Sequence, residues 1–152
     1  MKTVEKIVVA GIVGTTFMTL YSYLKARKEH QEYVEPVMIN KLIDNSANLP
    51  EIDDNHSNAS GYMLHYATGI GFMAAYYLLW EKALVKPTFF KVLVLGALSG
   101  AFGIAVWKFM FAHHNNAPSN YRRGYYRQLF IAHIIFTLFA VPTYKALGNG
   151  KD

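Results

Sequence analysis

Two histidines stand inside strongly apolar stretches of this sequence. His65 lies in GYMLHYATGIGF, residues 61–72, and His133 lies in RQLFIAHIIFTLF, residues 127–139. An imidazole can donate or accept a hydrogen bond, or it can ligate a metal or a haem iron. In apolar surroundings each of these uses needs a partner group, because lipid offers none. The two histidines are therefore the first candidates for a site.

Other side chains fall on the same helical stripes or near the same end of the stretches. The candidate ligand-binding residues are His65, His133, Tyr62, Thr68, Gly69, Tyr126, Arg122, Arg127 and Thr137. Guanidinium groups suit an anionic head, and aromatic rings suit an apolar body. The sequence therefore predicts a pocket lined by His, Arg and Tyr that binds a lipid or another small amphipathic molecule.

Other interpretations of the histidines remain open. They could only hydrogen-bond across helices, or the protein could be an accessory subunit of a larger membrane complex. A further alternative is a haem- or metal-binding protein of redox or transport function, with ligands drawn from His65, His133, His113 and His114. A pair of histidines on two helices is unspecific, so the sequence fixes no cofactor.

Motifs for catalysis are missing from the sequence. It contains no Ser-His-Asp grouping, no H-E-x-x-H and no phosphate-binding loop, and no Asp or Glu falls in the middle of an apolar stretch. The chain has no cysteine, which excludes disulfides, thiolate metal sites, iron–sulfur clusters and covalently attached haem. Enzyme activity is unsupported by the sequence, although it is not excluded.

The apolar stretches are long enough to cross a membrane. Of the 152 residues, 53% are hydrophobic and only 16% are charged. A bilayer core of about 30 Å needs about 20 residues of helix. Four stretches meet this length, at about 4–24, 61–80, 89–111 and 126–146. We therefore predict a single integral membrane domain over residues 1–152, an all-α four-helix transmembrane bundle.

The long connection at residues 25–60 contains one further pattern. Val34, Val37, Met38 and Leu42 follow helical spacing within it. The pattern predicts a short amphipathic helix at about 34–44, lying in the membrane interface. The remainder of the connection is polar.

The direction of the spans places the two histidines at similar depth. Spans two and four run the same way, because one helical hairpin separates them. His65 lies about 6 Å past Gly61 along its helix, and His133 lies about 9 Å past Arg127. Ionisable groups inside a membrane normally face the bundle interior. The predicted pocket therefore lies in the leaflet that faces the first and third connections.

Small residues indicate how the spans pack. Gly14 in span one, and Gly96 and Gly100 in the GALSGAFG of span three, allow helix backbones to approach closely. The short connection EKALVKPT predicts that spans two and three are antiparallel neighbours.

Charge bears on partners and on orientation. The formal net charge is +5, but basic residues only flank the spans, which is typical of contact with lipid headgroups and not of nucleic-acid binding. The count of positive charges on the two sides is close to a tie, and we favour termini in the cytoplasm. A homo-oligomer or a larger membrane complex remains open.

Three segments resemble a known pattern. HYATGIGF, the KPT turn and APSNYRRGYYRQLFIAH are similar to an uncharacterised family of small bacterial four-span integral membrane proteins. The matching residues are His65, Tyr66, Gly69, Phe72, Pro118, Ala132, His133 and Phe136. The sequence departs from the pattern at Thr137, where the family tends to have glycine. The resemblance implies the fold and a bacterial inner-membrane location, and it marks the histidines without implying an activity.

Overall fold

The computed structural model describes residues 1–148, and this range is entirely helical outside its connections. The elements in chain order are α1 (Thr3–Glu29), α2 (Glu35–Asp44), α3 (Ala59–Val85), α4 (Phe89–His113) and α5 (Arg122–Gly148). The predicted all-α class is confirmed. The last four positions of the predicted domain lie outside the described residues.

Most of the long helices extend beyond the predicted apolar spans, because the residues that cap them lie outside the apolar stretches. Asn58 begins α3, where its side chain accepts from the Ser60 N–H at 2.9 Å. Thr88 begins α4, where its hydroxyl accepts from the Lys91 N–H at 3.3 Å. At the other end of α1, His30 adopts a left-handed conformation with φ of 53°. Such caps satisfy terminal backbone groups wherever apolar sequence stops.

Three of the described helices are long and apolar enough to cross a membrane. They are α1, α4 and α5. By the length and composition of these helices, the chain is a multi-pass membrane protein. α3 has 27 residues but is not among the three, because its tyrosines, its glycines and His65 lower its hydropathy.

Helices α1 and α5 form the centre of the bundle. α1 packs against α5 and α3, and α5 also packs against α4. Helices α3 and α4 make only weak contact, although the turn at residues 86–88 joins them. The two helices predicted to be antiparallel neighbours are thus joined by a short turn with little packing between them. A short turn fixes where two helices are joined, but their packing depends on which faces can approach.

Glycines explain why α5 is central. A methyl group at Gly14 of α1 would come within 2.7 Å of the Ala140 Cβ of α5. A methyl group at Gly96 of α4 would come within 2.8 Å of the Ile134 Cα of α5, and one at Gly100 within 3.1 Å of the Phe130 carbonyl oxygen. The small residues of α1 and α4 are thus used against α5. Nothing comparable draws α3 onto α4.

The short helix α2 packs against the first turns of α3. Asn40 fixes this contact, because its Oδ1 accepts from the Gly61 N–H at 2.7 Å. Its Nδ2 donates to the carbonyls of Asn55 and Asn58, both at 2.9 Å. A side chain at Gly61 would overlap the Pro36 carbonyl. α2 therefore covers one end of the bundle and can supply side chains to its interior.

Candidate functional site

A cavity of about 280 Å³ lies where α3 and α4 fail to pack. We call it the seam cavity. Its apolar walls are formed by Met18, Ile39, Leu64, Phe72, Phe102, Val106, Trp107, Met110, Leu129 and Phe136. On α3 and α4 the wall includes exposed side chains, among them Leu64 at 52% and Phe102 at 61%. The cavity therefore opens sideways between these two helices.

Polar groups interrupt the apolar walls at a few positions. They are Thr15, Glu35, His65, Thr68 and His133, and Gly69 also lines the cavity. Of the residues predicted from sequence, the structure brings His65, Thr68, Gly69 and His133 together here. A side chain at Gly69 would overlap Thr15 Oγ1. Glycine at this position lets α3 approach α1 closely.

His65 is held in one tautomer by its neighbours on α1. Its Nε2 lies 3.0 Å from Thr19 Oγ1, whose own hydrogen is donated to the Thr15 carbonyl at 2.7 Å. A hydroxyl has only one hydrogen, so Nε2 must donate to Thr19. In a neutral ring, Nδ1 is then left as an acceptor.

His133 is fixed in the other tautomer by its own helix. Its Nδ1 donates to the Leu129 carbonyl at 2.9 Å, which leaves Nε2 as the acceptor. The ring packs edge-on against Phe72, with centroids 5.4 Å apart. It also lies over Gly103, where a methyl group would come within 2.7 Å of Cε1. Both histidines thus reach the seam cavity with an unshared acceptor nitrogen.

Glu35 is the functional candidate that the sequence analysis missed. It begins α2, is 1% exposed and lines the seam cavity. Its Oε1 accepts from Ser22 Oγ at 2.8 Å and from Gln128 Nε2 at 3.2 Å. Its Oε2 is buried and has no hydrogen-bond partner on another residue. Burial raises the pKa of this carboxyl to about 7, against the opposing effect of the Ser22 and Gln128 hydrogen bonds.

Glu35 was not predicted because the apolar spans themselves contain no acidic residue at their centres, and Glu35 lies outside them. Glu35 belongs to the polar connection but folds back over the bundle with α2. A signal was present, since Glu35 lies three residues before Met38, on the edge of the apolar stripe of α2.

Three predicted residues near the start of α3 and α5 lie outside the seam cavity. Tyr62 donates its hydroxyl hydrogen to the His56 carbonyl at 3.1 Å. Arg122 is held by the preceding connection, because it donates to the Pro118 carbonyl and to Asn120 Oδ1 at 2.7 Å. Tyr126 presents its ring to an ammonium group, with Lys108 Nζ 5.4 Å from the centroid.

Two more predicted residues also lie elsewhere. Thr137 is fully buried between α5 and α4, where it donates to the Ile134 carbonyl at 2.9 Å and packs beside Gly96. Arg127 is exposed and lies about 120° around α5 from His133. The predicted His/Arg/Tyr pocket is thus not assembled as one site, because Arg127 points elsewhere and Arg122 is held by its own connection.

The remaining candidate metal ligands do not join the two buried histidines. His113 is exposed and bonds the Phe109 carbonyl through Nδ1 at 2.9 Å. His114 Nε2 donates to the Leu42 carbonyl at 2.8 Å, while its Nδ1 accepts from the Asn116 N–H. Within residues 1–148, no three His, Asp or Glu side chains are arranged to hold a metal ion.

A second cavity, of about 260 Å³, lies between the end of α1 and the start of α5. We call it the basic cavity. Its lining residues are Lys25, Glu29, Tyr121, Arg123, Gly124, Arg127, Gln128 and Ile131. Lys25 and Glu29 form an ion pair at 2.5 Å, which leaves the two arginines as the excess charge. Gln128 lies between the two cavities, since it lines this one and also donates to Glu35.

Comparisons with protein-family models, with curated proteins and with solved structures give no match. Membership of the four-span family that the sequence resembles stays a prediction.

Proposed function

We propose that the protein is a four-span membrane protein that binds a small amphipathic molecule in the seam cavity. In this proposal α1, α3, α4 and α5 cross the membrane and α2 lies at one surface. The observation that carries the proposal is the seam cavity itself, an apolar chamber with buried polar groups that opens between α3 and α4.

The crossing of α3 is supported by its length and its outer surface. Its regular part before the kink at Trp80 extends about 30 Å, which matches the hydrocarbon thickness of a bilayer. Large apolar side chains stand outward along it, with Met63 at 71%, Leu78 at 78% and Leu79 at 85% exposed. Water would penalise such a surface, whereas lipid would not.

The absence of native cysteine makes the topology directly testable. We propose a bacterial inner membrane with cytoplasmic termini. One thiol can be placed in the segment before or after each proposed span by the single variants Lys2→Cys, His56→Cys, Lys86→Cys and Asn116→Cys. Labelling of whole cells with a membrane-impermeant maleimide should reach positions 56 and 116 only. Labelling of position 86 together with 56 would show that α3 does not cross.

A sideways opening suits a ligand that arrives from the bilayer. Phe72 and Phe102 lie about 12 Å further from α2 along their helices than Leu64 and Met110, and all four line the chamber. An alkyl chain can occupy this length, while its polar end meets Glu35 or the histidines. Ligand sites commonly combine apolar walls with a few placed polar groups in this way.

Trp107 offers a direct readout of binding, because it lines the seam cavity. The chain has only two tryptophans, so Trp80→Phe leaves Trp107 as the single reporter. In phosphatidylcholine nanodiscs, 12-bromododecanol should quench Trp107 saturably. Val106→Phe, at the cavity opening, should weaken that quenching by about tenfold. Leu98→Phe, exposed elsewhere on α4, is the matched control, and equal effects of both variants would refute the proposal.

The haem alternative has weaker support from the geometry. The His65 Nε2 is engaged by Thr19, and the His133 ring is packed between Phe72 and Gly103. Iron ligation through His65 Nε2 would have to break the bond to Thr19, and a porphyrin at His133 would have to displace Phe72. A Soret band in the purified protein, lost in His65→Ala or His133→Ala, would nevertheless establish it. An accessory role would instead show as a partner subunit retained in native mass spectrometry.

A further inference from the structure

Most polar atoms that line the seam cavity are hydrogen-bond acceptors and not donors. His65 Nδ1 and His133 Nε2 are acceptors, because the opposite nitrogen of each ring is the donor. Thr68 donates its hydroxyl hydrogen to the Leu64 carbonyl at 2.8 Å, so only its lone pairs remain. Thr15 Oγ1 is buried without a partner and is the one hydroxyl whose hydrogen is uncommitted. The indole N–H of Trp107 is the other donor on the wall, so acceptors outnumber the uncommitted donors among the described lining residues.

The carboxyl group of Glu35 adds the strongest acceptor. Oε1 is satisfied by Ser22 and Gln128, but Oε2 is not paired with any other residue and is shielded from water. An unpaired carboxylate oxygen in a buried site is costly unless a donor or a cation meets it. Within residues 1–148, no Lys or Arg lines the seam cavity to do so.

The arginine side chains that could have paired with Glu35 Oε2 are bound elsewhere. Arg122 spends its donors on the connection at Pro118 and Asn120, and it stacks over the Phe111 ring at 3.4 Å. Arg127 lies in the basic cavity, on the far side of Gln128. Above the raised pKa of Glu35, an anionic head in the seam cavity would face these acceptors and a carboxylate of like charge, with only Thr15 and the Trp107 indole to donate among the described lining residues.

We infer that the molecule bound in the seam cavity carries an ammonium head on an apolar chain, with Glu35 Oε2 as the counter-ion. This inference rests on the proposed function and names the class of its ligand. An ammonium group brings several N–H donors, so it can meet Glu35 and one of the imidazole acceptors together. The aromatic rings of Phe72, Phe102 and Trp107 supply surface for the chain and faces for the cation.

Three probes with the same chain length and different head groups separate the effect of head charge on affinity from the effect of burying the chain. They are 12-bromododecylamine, 12-bromododecanol and 12-bromododecanoate, each titrated into the Trp80→Phe protein in phosphatidylcholine nanodiscs. The part of the Trp107 quenching that does not saturate is subtracted, because it reports partition into the bilayer. We expect the amine to bind at least about tenfold more tightly than the carboxylate, with the alcohol between them.

The Glu35→Gln variant then tests the counter-ion. It should reduce amine affinity to about that of the alcohol and leave alcohol affinity unchanged, which also shows that the variant is folded. Glu29→Gln is the matched control, since it removes a carboxylate at the same end of the bundle but in the basic cavity. It should change none of the three affinities.

Each outcome bears on a different claim. Carboxylate binding as tight as amine binding would overturn the inference while leaving the proposed function intact, and this comparison needs no variant. Undiminished amine binding in Glu35→Gln would overturn the inference as well. Failure of all three probes to bind saturably would remove the proposed function itself.

Discussion

The two cavities of this bundle have similar volumes, about 280 and 260 Å³, but opposite chemistry. The seam cavity is apolar and holds hydrogen-bond acceptors and one carboxyl group. The basic cavity is polar and holds an excess of cationic side chains. Two adjacent chambers of one small bundle therefore favour different ligands.

A single side chain separates the two chambers. Gln128 is 1% exposed, and its Nε2 donates to Glu35 and to the Tyr33 carbonyl, while Ser22 Oγ lies 3.1 Å from its Oε1 and donates its hydrogen to Glu35 at the shorter distance of 2.8 Å. These contacts tie α5, α2 and α1 together at one point. Arg127 and Gln128 both line the basic cavity, but only Gln128 also reaches Glu35 at the seam cavity.

The largest expected difference between the chambers is in the pH dependence of stability. Between pH 4.5 and about 7, the folded protein keeps a proton on Glu35 that the unfolded chain releases, because burial raises its pKa to about 7. Stability should therefore fall as the pH rises through this window and level off above it. The raised pKa corresponds to about 3 kcal/mol.

Thermal unfolding in detergent at pH 4.5 and pH 8, followed by circular dichroism, measures this difference. Glu35→Gln should remove most of the pH dependence. Glu29→Gln, its counterpart in the basic cavity, should retain the wild-type dependence. Identical profiles for wild type and Glu35→Gln would show that Glu35 is not the buried titrating group.

The close approach of α3 to α1 beside the seam cavity depends on a glycine. Gly69→Ala would drive a methyl group into Thr15, and we expect a loss of about 2 kcal/mol in the free energy of unfolding. Gly71→Ala is the control on the same helix, because a methyl group there meets nothing within 4 Å. It should be neutral or slightly stabilising in the same unfolding measurement.

The hydrogen bond that sets the His65 tautomer should have a smaller effect. Thr19→Val leaves the His65 Nε2–H without its acceptor, at a cost of about 1 kcal/mol. Thr143→Val removes only an exposed hydroxyl that bonds its own helix, so its unfolding curve should match wild type. Equal losses in both variants would mean that the His65 contact adds nothing specific.

The smallest effect is expected in the basic cavity. Arg127 is exposed, so Arg127→Gln should change the free energy of unfolding by less than about 0.5 kcal/mol. It should also leave quenching of Trp107 by 12-bromododecylamine unchanged. A weaker response of Trp107 to the bromododecanoate probe in this variant would show that the two cavities act as one site.

Part of the site could be predicted because helical periodicity is local. The spacing of His65, Thr68 and Gly69 puts them on one stripe of α3, and the structure brings them beside His133 as that stripe implies. The arginines could not be placed in the same way. Arg122 is held by carbonyl and amide groups of its own connection, a choice that depends on how residues 118–121 fold.

The sequence by itself determined the helices, since apolar runs, caps and glycines act over a few residues and need no knowledge of partners. It determined the all-α class, the apolar length for membrane crossing and the stripe that bears His65. Only the tertiary structure decided that α5 takes the glycine faces of α1 and α4, so that α3 and α4 part and a cavity opens between them. It also brought Glu35 over the end of the bundle, because α2 is positioned by Asn40 and Gly61, contacts between residues far apart in the chain. Long-range contacts of this kind depend on which surfaces meet, and the order of residues alone does not specify that.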